Sequence, residues 1–198
     1  MAPTSTPSRA AGANCLDLAL EAGDVSTFRL LLAAGATVTD SEVYSALDSR
    51  KVDVLEAVVS TPGADPNRRR TPGPVAKERD WLLFAPEWYP LYHAATFHLP
   101  GPWASIERSL EKGGRDEQHA QIATLLRHGA DPYAVFEHPG LGQRSVLHAL
   151  LEDGGFVQPL LEMPNLDTEH FDPQGRTLLL SACRSLPRCG HSDGRRLS

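Results

Sequence analysis

The sequence predicts an all-α protein built from stacked helix pairs, and two features indicate this fold class. A double leucine or valine is followed closely by Gly-Ala at residues 31–36, 58–64 and 125–130, and residues 160–167 carry a weaker copy. Each copy follows a short amphipathic run, which is typical of a helix that ends at a glycine cap. Repetition at this scale indicates a line of supersecondary units rather than one globular core.

Composition limits the classes of protein that the chain can form. Its 198 residues are 41% hydrophobic, which is enough to bury a core. No run approaches the roughly 18 apolar residues that a membrane span needs, so we expect no membrane insertion. A net charge of −6 argues against binding to nucleic acid, which normally needs a basic stripe.

The cysteines suggest where the protein resides. Cys15, Cys183 and Cys189 form an odd set without the spacing of a disulfide framework. Such a set fits a reducing compartment. We therefore expect an intracellular location, either cytoplasmic or nuclear.

The first helix pair has the most regular pattern. Apolar residues at 16–20 share one helix, and Gly23 breaks it. Helical spacing then resumes from Val25 to Leu32, before Gly35 stops the second helix. Two short helices of this kind cannot bury both faces alone, so each pair requires a neighbour.

These units resemble ankyrin repeats. In that family, Gly-x-Thr-Pro-Leu-His-x-Ala-Ala opens the first helix, Gly-Ala-Asp closes the second, and an extended finger leads to the next unit. The spacing from Leu16 to Gly35 equals the spacing that is typical of the family, and Gly23 stands where the family has a glycine between its two helices. YPLYHAA at 89–95 and SVLHAL at 145–150 are close to the opening motif. The resemblance implies an ankyrin-type right-handed helical solenoid of four helix pairs plus an incomplete fifth, with short finger turns.

The resemblance also divides the chain. It implies a solenoid over residues 14–183, between a disordered N-terminal arm at 1–13 and a disordered tail at 184–198. In unit two the first helix is degenerate, whereas the second, at 52–59, is well formed. In unit four we expect a short second helix near 156–161, interrupted by Pro159. The predicted units cover residues 14–40, 41–70, 88–137, 143–172 and, in part, 173–183.

Two stretches are longer than the family pattern. The residues between Gly63 and Leu91 form either an extended finger or a degraded repeat, and the finger is favoured because no helix pair is found there. Within unit three, residues 100–118 are predicted to be an inserted loop with one short helical piece. Pro-Gly-Pro at 100–102 and Gly-Gly at 113–114 mark this loop.

The fifth unit opens with GRTLLLSAC at 175–183, and no second helix follows it. Terminal repeats need a polar outer face, but the leucines at 178–180 have no partner helix after them. Two explanations remain open. The chain is a fragment of a longer array, which the missing capping residues favour, or the last helix packs on unit four and the tail frays.

The sequence does not predict an enzyme. It contains no Gly-x-Ser-x-Gly, no phosphate-binding glycine loop, no His-Glu-x-x-His and no Cys-x-x-Cys. Cys183, Cys189 and His191 lack the spacing of a structural zinc site. We therefore expect no metal and no cofactor.

Several polar residues are given structural or solvated roles. The resemblance implies that His93 and His148 bond the backbone and tie one repeat to the next. The acid pair Glu152 and Asp153 is expected to be solvated at a turn, and His128 to lie in solvent near a helix end.

The resemblance implies protein–protein recognition through a concave face of finger tips and first helices. We expect the chain to be a monomer and its partner to be another protein. The candidate contacts are Glu21, Asp48, Arg68, Arg69, Trp88, Thr96, Phe97, His128, Glu152 and Asp153.

Other interpretations stay open. The arginines at 68–70 form either a solvated turn or a contact with an acidic partner, and they fall short of a basic targeting run. The aromatic residues between 81 and 92 either cover the core or anchor an interface. The alternative function is a regulatory or targeting segment of a larger multidomain enzyme, receptor or channel. A decayed, non-functional product is a third hypothesis.

Overall fold

A computed structural model describes residues 14–69, 89–96, 112–138 and 142–185. The predicted arm at 1–13, most of the two long stretches and the tail from residue 186 lie outside this part of the chain. The described residues form α1 (Cys15–Ala22), α2 (Val25–Ala33), α3 (Asp40–Asp48), α4 (Val52–Val59), α5 (Pro90–Thr96), α6 (Lys112–Arg127), β1 (Val135–His138), β2 (Gly142–Ser145), α7 (Val146–Asp153), α8 (Gln158–Leu161) and α9 (Leu178–Ser185).

The predominantly helical class is confirmed, but one hairpin departs from the all-α prediction. Strands β1 and β2 pair antiparallel, with Val135 opposite Ser145 and His138 opposite Gly142. Each strand has only four residues, so the alternation of apolar and polar residues that identifies a strand is too short to detect. The short finger turn predicted at this place is therefore a β-hairpin.

Local signals explain the first helix pair. Asn14 caps α1 by accepting a hydrogen bond from the amide of Asp17 at 2.8 Å, and the Asp17 carboxylate accepts one from the amide of Asn14 at 3.2 Å. Gly23 ends α1 in the left-handed region at φ 70°, where glycine carries no Cβ penalty. Asp24 then caps α2 by accepting hydrogen bonds from the amides of Ser26 and Thr27, both at 3.0 Å.

The helices form two rows that follow the order of the chain. In the first row, α1 packs on α3, α3 on α5, α5 on α7 and α7 on α9. In the second row, α2 packs on α4, α4 on α6 and α6 on α8. The core lies between the rows and contains side chains that are fully buried, among them Phe28, Leu55, Leu125 and Leu147.

Polar bonds join successive helices of the first row. Each bond runs from a residue in the middle of one helix to an acidic side chain on the helix before it. The pairs are Ser45 Oγ to Asp17 Oδ1 at 2.9 Å, His93 Nε2 to Asp48 Oδ1 at 2.8 Å, and Ser181 Oγ to Glu152 Oε1 at 3.2 Å. These bonds fix the rotation of each helix against its neighbour, because an apolar contact alone has no direction.

Helix α6 begins at Lys112, earlier than the sequence predicted, so residues 112–118 belong to the helix and not to an inserted loop. Gly113 and Gly114 each cost about 1 kcal/mol in a helix interior. Tertiary contacts offset this cost: Gln118 donates to the carbonyl of Ala94 at 2.9 Å and Gln121 to that of Leu47 at 3.0 Å.

Two boundaries near the C-terminal end also differ from the prediction. Helix α8 is short, as predicted. Pro159 does not interrupt it, because this proline lies in the first turn, where a missing amide hydrogen breaks no helical hydrogen bond. Helix α9 extends to Ser185, so the tail predicted from residue 184 begins within this helix.

Neighbouring fingers are held together by side chains that bond to backbone. The Asn67 side chain donates to the carbonyl of Gly129 at 2.8 Å and accepts from the amide of Asp131 at 2.7 Å. In the next finger, the Tyr133 hydroxyl accepts from the amide of Asp167 at 2.7 Å. Each bond connects segments that are far apart in sequence.

We expect Asn67→Ala to destabilise the protein by about 1–3 kcal/mol, because two hydrogen bonds of about 0.5–1.5 kcal/mol each are lost. Urea denaturation followed by circular dichroism measures this change. Asn165→Ala is the matched control, since Asn165 is exposed and makes no hydrogen bond within the described residues. Equal stability of the two variants would show that the finger bonds contribute nothing.

Candidate functional site

Five of the predicted contact residues, among them Asp48 on α3, lie at the surface of the first row or of a finger. Glu21 is exposed in the last turn of α1, and Arg68 and Arg69 are exposed after the second finger turn. The Arg69 guanidinium lies 5.7 Å from the ring centroid of Tyr89, a cation–π arrangement. Thr96 is partly exposed at the end of α5. Trp88 and Phe97 lie outside the described residues.

Asp48 and His128 connect layers of the structure. Asp48 accepts the hydrogen bond from His93 in the first row. His128 Nε2 lies 2.9 Å from Glu56 Oε1, so it joins the end of α6 to α4 in the second row. His128 is partly buried, with its side chain 24% exposed, and it is paired, so the expectation of a solvated imidazole is wrong.

Glu152 is not solvated, contrary to the sequence prediction, because its side chain is only 5% exposed. Its Oε1 accepts from Arg176 Nη1 at 2.9 Å and from Ser181 Oγ at 3.2 Å. Arg144 Nε lies 3.6 Å from the other oxygen. The carboxylate thus joins α7 to the hairpin, the last finger and α9, and it is not available to a partner.

Asp153 is also engaged within the fold, so its predicted solvation is wrong as well. Its Oδ2 accepts hydrogen bonds from the Tyr92 hydroxyl and from His138 Nε2, the latter at 3.0 Å. Burial acts to raise the pKa of Asp153, but the bonds from His138 and Tyr92 outweigh it and hold the pKa below its usual value. Burial and the Asp153 charge together raise the pKa of Tyr92.

Because the folded state lowers the pKa of Asp153, the carboxylate contributes stability above its unfolded pKa. That contribution is lost as the pH falls through the folded pKa.

We expect Tyr92→Phe to raise the pKa of Asp153 toward or above its ordinary value of 3.8. A pH titration of the Asp153 carboxyl carbon by NMR measures this shift. Tyr133→Phe is the matched control and should leave the Asp153 pKa unchanged, because Tyr133 bonds the backbone of Asp167. An unaltered pKa in Tyr92→Phe would contradict the assigned bond.

The two opening-motif histidines have different partners. His148 Nε2 lies 3.0 Å from the carbonyl oxygen of Arg176, so it ties its unit to the backbone of the next, as the resemblance implied. Burial lowers the pKa of His148. Its neutral ring can then accept from Ser145 Oγ at Nδ1, at 2.6 Å. His93 bonds the Asp48 carboxylate of the preceding unit.

The structure shows surface features that the sequence analysis missed. Val135 and Phe171 are exposed on successive fingers, and Phe171 is 60% exposed. They occupy equivalent places in their fingers. Val135 pairs with Ser145, the residue just before α7, and Phe171 pairs with Thr177, the residue just before α9. An apolar residue directly after a finger turn is the signal that could have identified them.

An open groove of about 700 Å³ lies between α2 and α4 on the second row, and none of the residues that line it is a predicted contact. Phe28, Leu32 and Ala57 contribute its apolar lining, while Arg29 and Asp53 contribute charged groups. Nothing in the local sequence pattern predicts it, because it arises where two helices from different units diverge.

Neither a protein-family model nor a curated protein matches this sequence. Among the described residues, no three histidine, cysteine or acidic side chains are grouped as a metal site would require. In the same part of the chain, no helix has the length and apolar character to cross a bilayer. The function must therefore be argued from the surface and the packing of this chain itself.

Proposed function

We propose that the chain is an ankyrin-type solenoid that recognises another protein. The observation that carries this proposal is the sequential first row, in which each helix packs on the first-row helices of the units next to it. A line of units exposes one long continuous surface, and repeat proteins of this form use such surfaces for binding. The finger bonds of Asn67 and Tyr133 support the same arrangement, because they join neighbouring fingers in order.

The proposed binding surface, here called the finger face, consists of exposed residues on the fingers and at the ends of the first-row helices. Phe171 and Val135 supply apolar anchors, and Arg68 and Arg69 supply charge and hydrogen-bond donors. Aromatic and arginine side chains carry a disproportionate share of binding energy at protein interfaces. Glu21 and Thr96 extend this surface along α1 and α5.

The predicted contacts that bond within the fold have a different role. Asp48, His128, Glu152 and Asp153 hold the units in register, so their substitution would change binding through loss of structure. The finger face is therefore the better place to test recognition.

Affinity purification with the whole chain, followed by mass spectrometry, would identify the partner, and calorimetry would then give its Kd. We expect Phe171→Asp to weaken binding at least tenfold, about 1.4 kcal/mol, because an exposed anchor is lost. Leu30→Asp is the matched control, since Leu30 is also an exposed apolar residue, 70% against 60% for Phe171, but lies on the second row. Both variants should keep the circular dichroism spectrum of the original chain.

Two outcomes would overturn the proposal. If Leu30→Asp weakens binding and Phe171→Asp does not, the partner sits on the second row. If the chain retains no protein above the level of an unrelated bait, recognition of a protein partner is not supported.

A further inference from the structure

Three buried charged side chains meet where the hairpin, α7 and the last finger come together. Arg144 lies on β2, Glu152 on α7 and Asp172 just before the turn that leads to α9. Their side chains are 2%, 5% and 0% exposed. Charged groups are rarely buried this deeply unless every polar atom has a partner.

The outer atoms of this cluster do have partners. Asp172 Oδ1 accepts from the amides of Gln174 and Arg176 at 2.9 and 2.8 Å. Glu152 Oε1 accepts from Arg176 Nη1 and Ser181 Oγ, as described above. Arg144 Nη1 donates to the carbonyl of Gln143 at 2.7 Å. These bonds hold the three side chains in place.

The inner atoms do not bond one another. Arg144 Nε lies 3.6 Å from Glu152 Oε2 and 3.7 Å from Asp172 Oδ2, beyond the roughly 2.7–3.2 Å of an N–H···O hydrogen bond. All three atoms are buried without a hydrogen-bond partner. Their charges attract across this gap, but one donor and two acceptors remain unsatisfied.

We propose that these three atoms form the binding site of one internal water molecule. A water molecule can donate two hydrogen bonds, here to the two carboxylate oxygens, and can accept one from the Nε–H of Arg144. A cation would face the guanidinium, and an anion would face both carboxylates. Among small ligands, water therefore fits this donor and acceptor set.

A bound water molecule at this position is also energetically favourable. Each buried polar atom without a hydrogen bond carries a desolvation penalty, whereas immobilising one water molecule carries a small entropy cost. Buried water typically makes about three hydrogen bonds to such groups. The water would complete the junction through which α7, the last finger and α9 are joined, and this role does not depend on the proposed function.

NMR on the whole chain tests the site without any substitution. We expect the Hε proton of Arg144 to exchange slowly and to show a cross-peak to a long-lived water molecule. Arg184 provides an internal control in the same spectrum: its side chain is 55% exposed, so its Hε should exchange rapidly and show no such peak.

A high-resolution crystal structure gives the second readout. The inference predicts an electron-density peak within about 2.7–3.2 Å of Arg144 Nε, Glu152 Oε2 and Asp172 Oδ2 together. A direct bond from Arg144 Nε to either carboxylate at about 2.9 Å, with no peak between them, would overturn it. An anomalous signal from a metal ion at this position would overturn it as well.

Discussion

Glu152→Ala is expected to destabilise the protein by about 3–5 kcal/mol, because it leaves the buried Arg144 and the partly buried Arg176 without this carboxylate. Arg144 and Arg176 both approach Glu152, and Asp172 alone cannot neutralise them. Removing one member of a buried ion cluster lowers the free energy of unfolding by more than the whole cluster adds to it, because the remaining charges stay desolvated. Urea denaturation at neutral pH, followed at a helical circular dichroism band, measures the effect.

Glu162→Ala is the control for this experiment. Glu162 also contacts a side chain from another helix, with His119 Nε2 at 3.1 Å, but the Glu162 side chain is exposed. We expect no measurable shift of its denaturation midpoint, because exposed pairs are screened by solvent. A change below about 1 kcal/mol for Glu152→Ala would mean that the cluster is open to bulk solvent and not buried.

Phe28→Ala is the second substitution with a large expected effect. Phe28 on α2 is 0% exposed and belongs to the core between the two rows. Truncating a buried phenylalanine costs about 3–5 kcal/mol, from lost burial and from the cavity that remains. The effect should appear as a lower midpoint in thermal and urea denaturation.

The same helix supplies the control, because Leu30 is 70% exposed. Leu30→Ala should change stability by no more than about 0.5 kcal/mol, as surface substitutions usually do. If both variants lose similar stability, α2 packs with a different face from the one described.

The features that could be predicted from sequence depend on local signals. The turn between α1 and α2 follows from Gly23 and from the caps Asn14 and Asp24, all of which act within a few residues. The second helix of unit two and the start of α9 follow from apolar spacing alone. Such patterns are short-range, so a single sequence is enough to detect them.

The role of the acidic residues could not be predicted, because their partners are distant in sequence. Asp48 bonds His93, and Asp153 bonds Tyr92 and His138, across unit boundaries. Near helix ends, acidic residues are normally solvated, so the default interpretation placed them at the surface. Only the packing of one unit on the next supplies these partners; it partly buries Asp153, whereas the Asp48 carboxylate stays 41% exposed.

The start of α6 was missed for a related reason. Its Gly-Gly sequence suggests a loop, and the contacts of Gln118 and Gln121 that hold the helix come from α5 and α3. The exposed finger residues Val135 and Phe171 were missed because an isolated apolar residue in a turn-rich stretch is ordinary in sequence.

The central claim is that the helices stack in chain order as two rows, and long-range nuclear Overhauser effects test it most directly. We expect cross-peaks between α1 and α3, α3 and α5, α5 and α7, and α7 and α9, with none between helices two steps apart in the row. Cross-peaks joining α1 to α5 or to α7, or a strand ladder in place of these helices, would contradict the account.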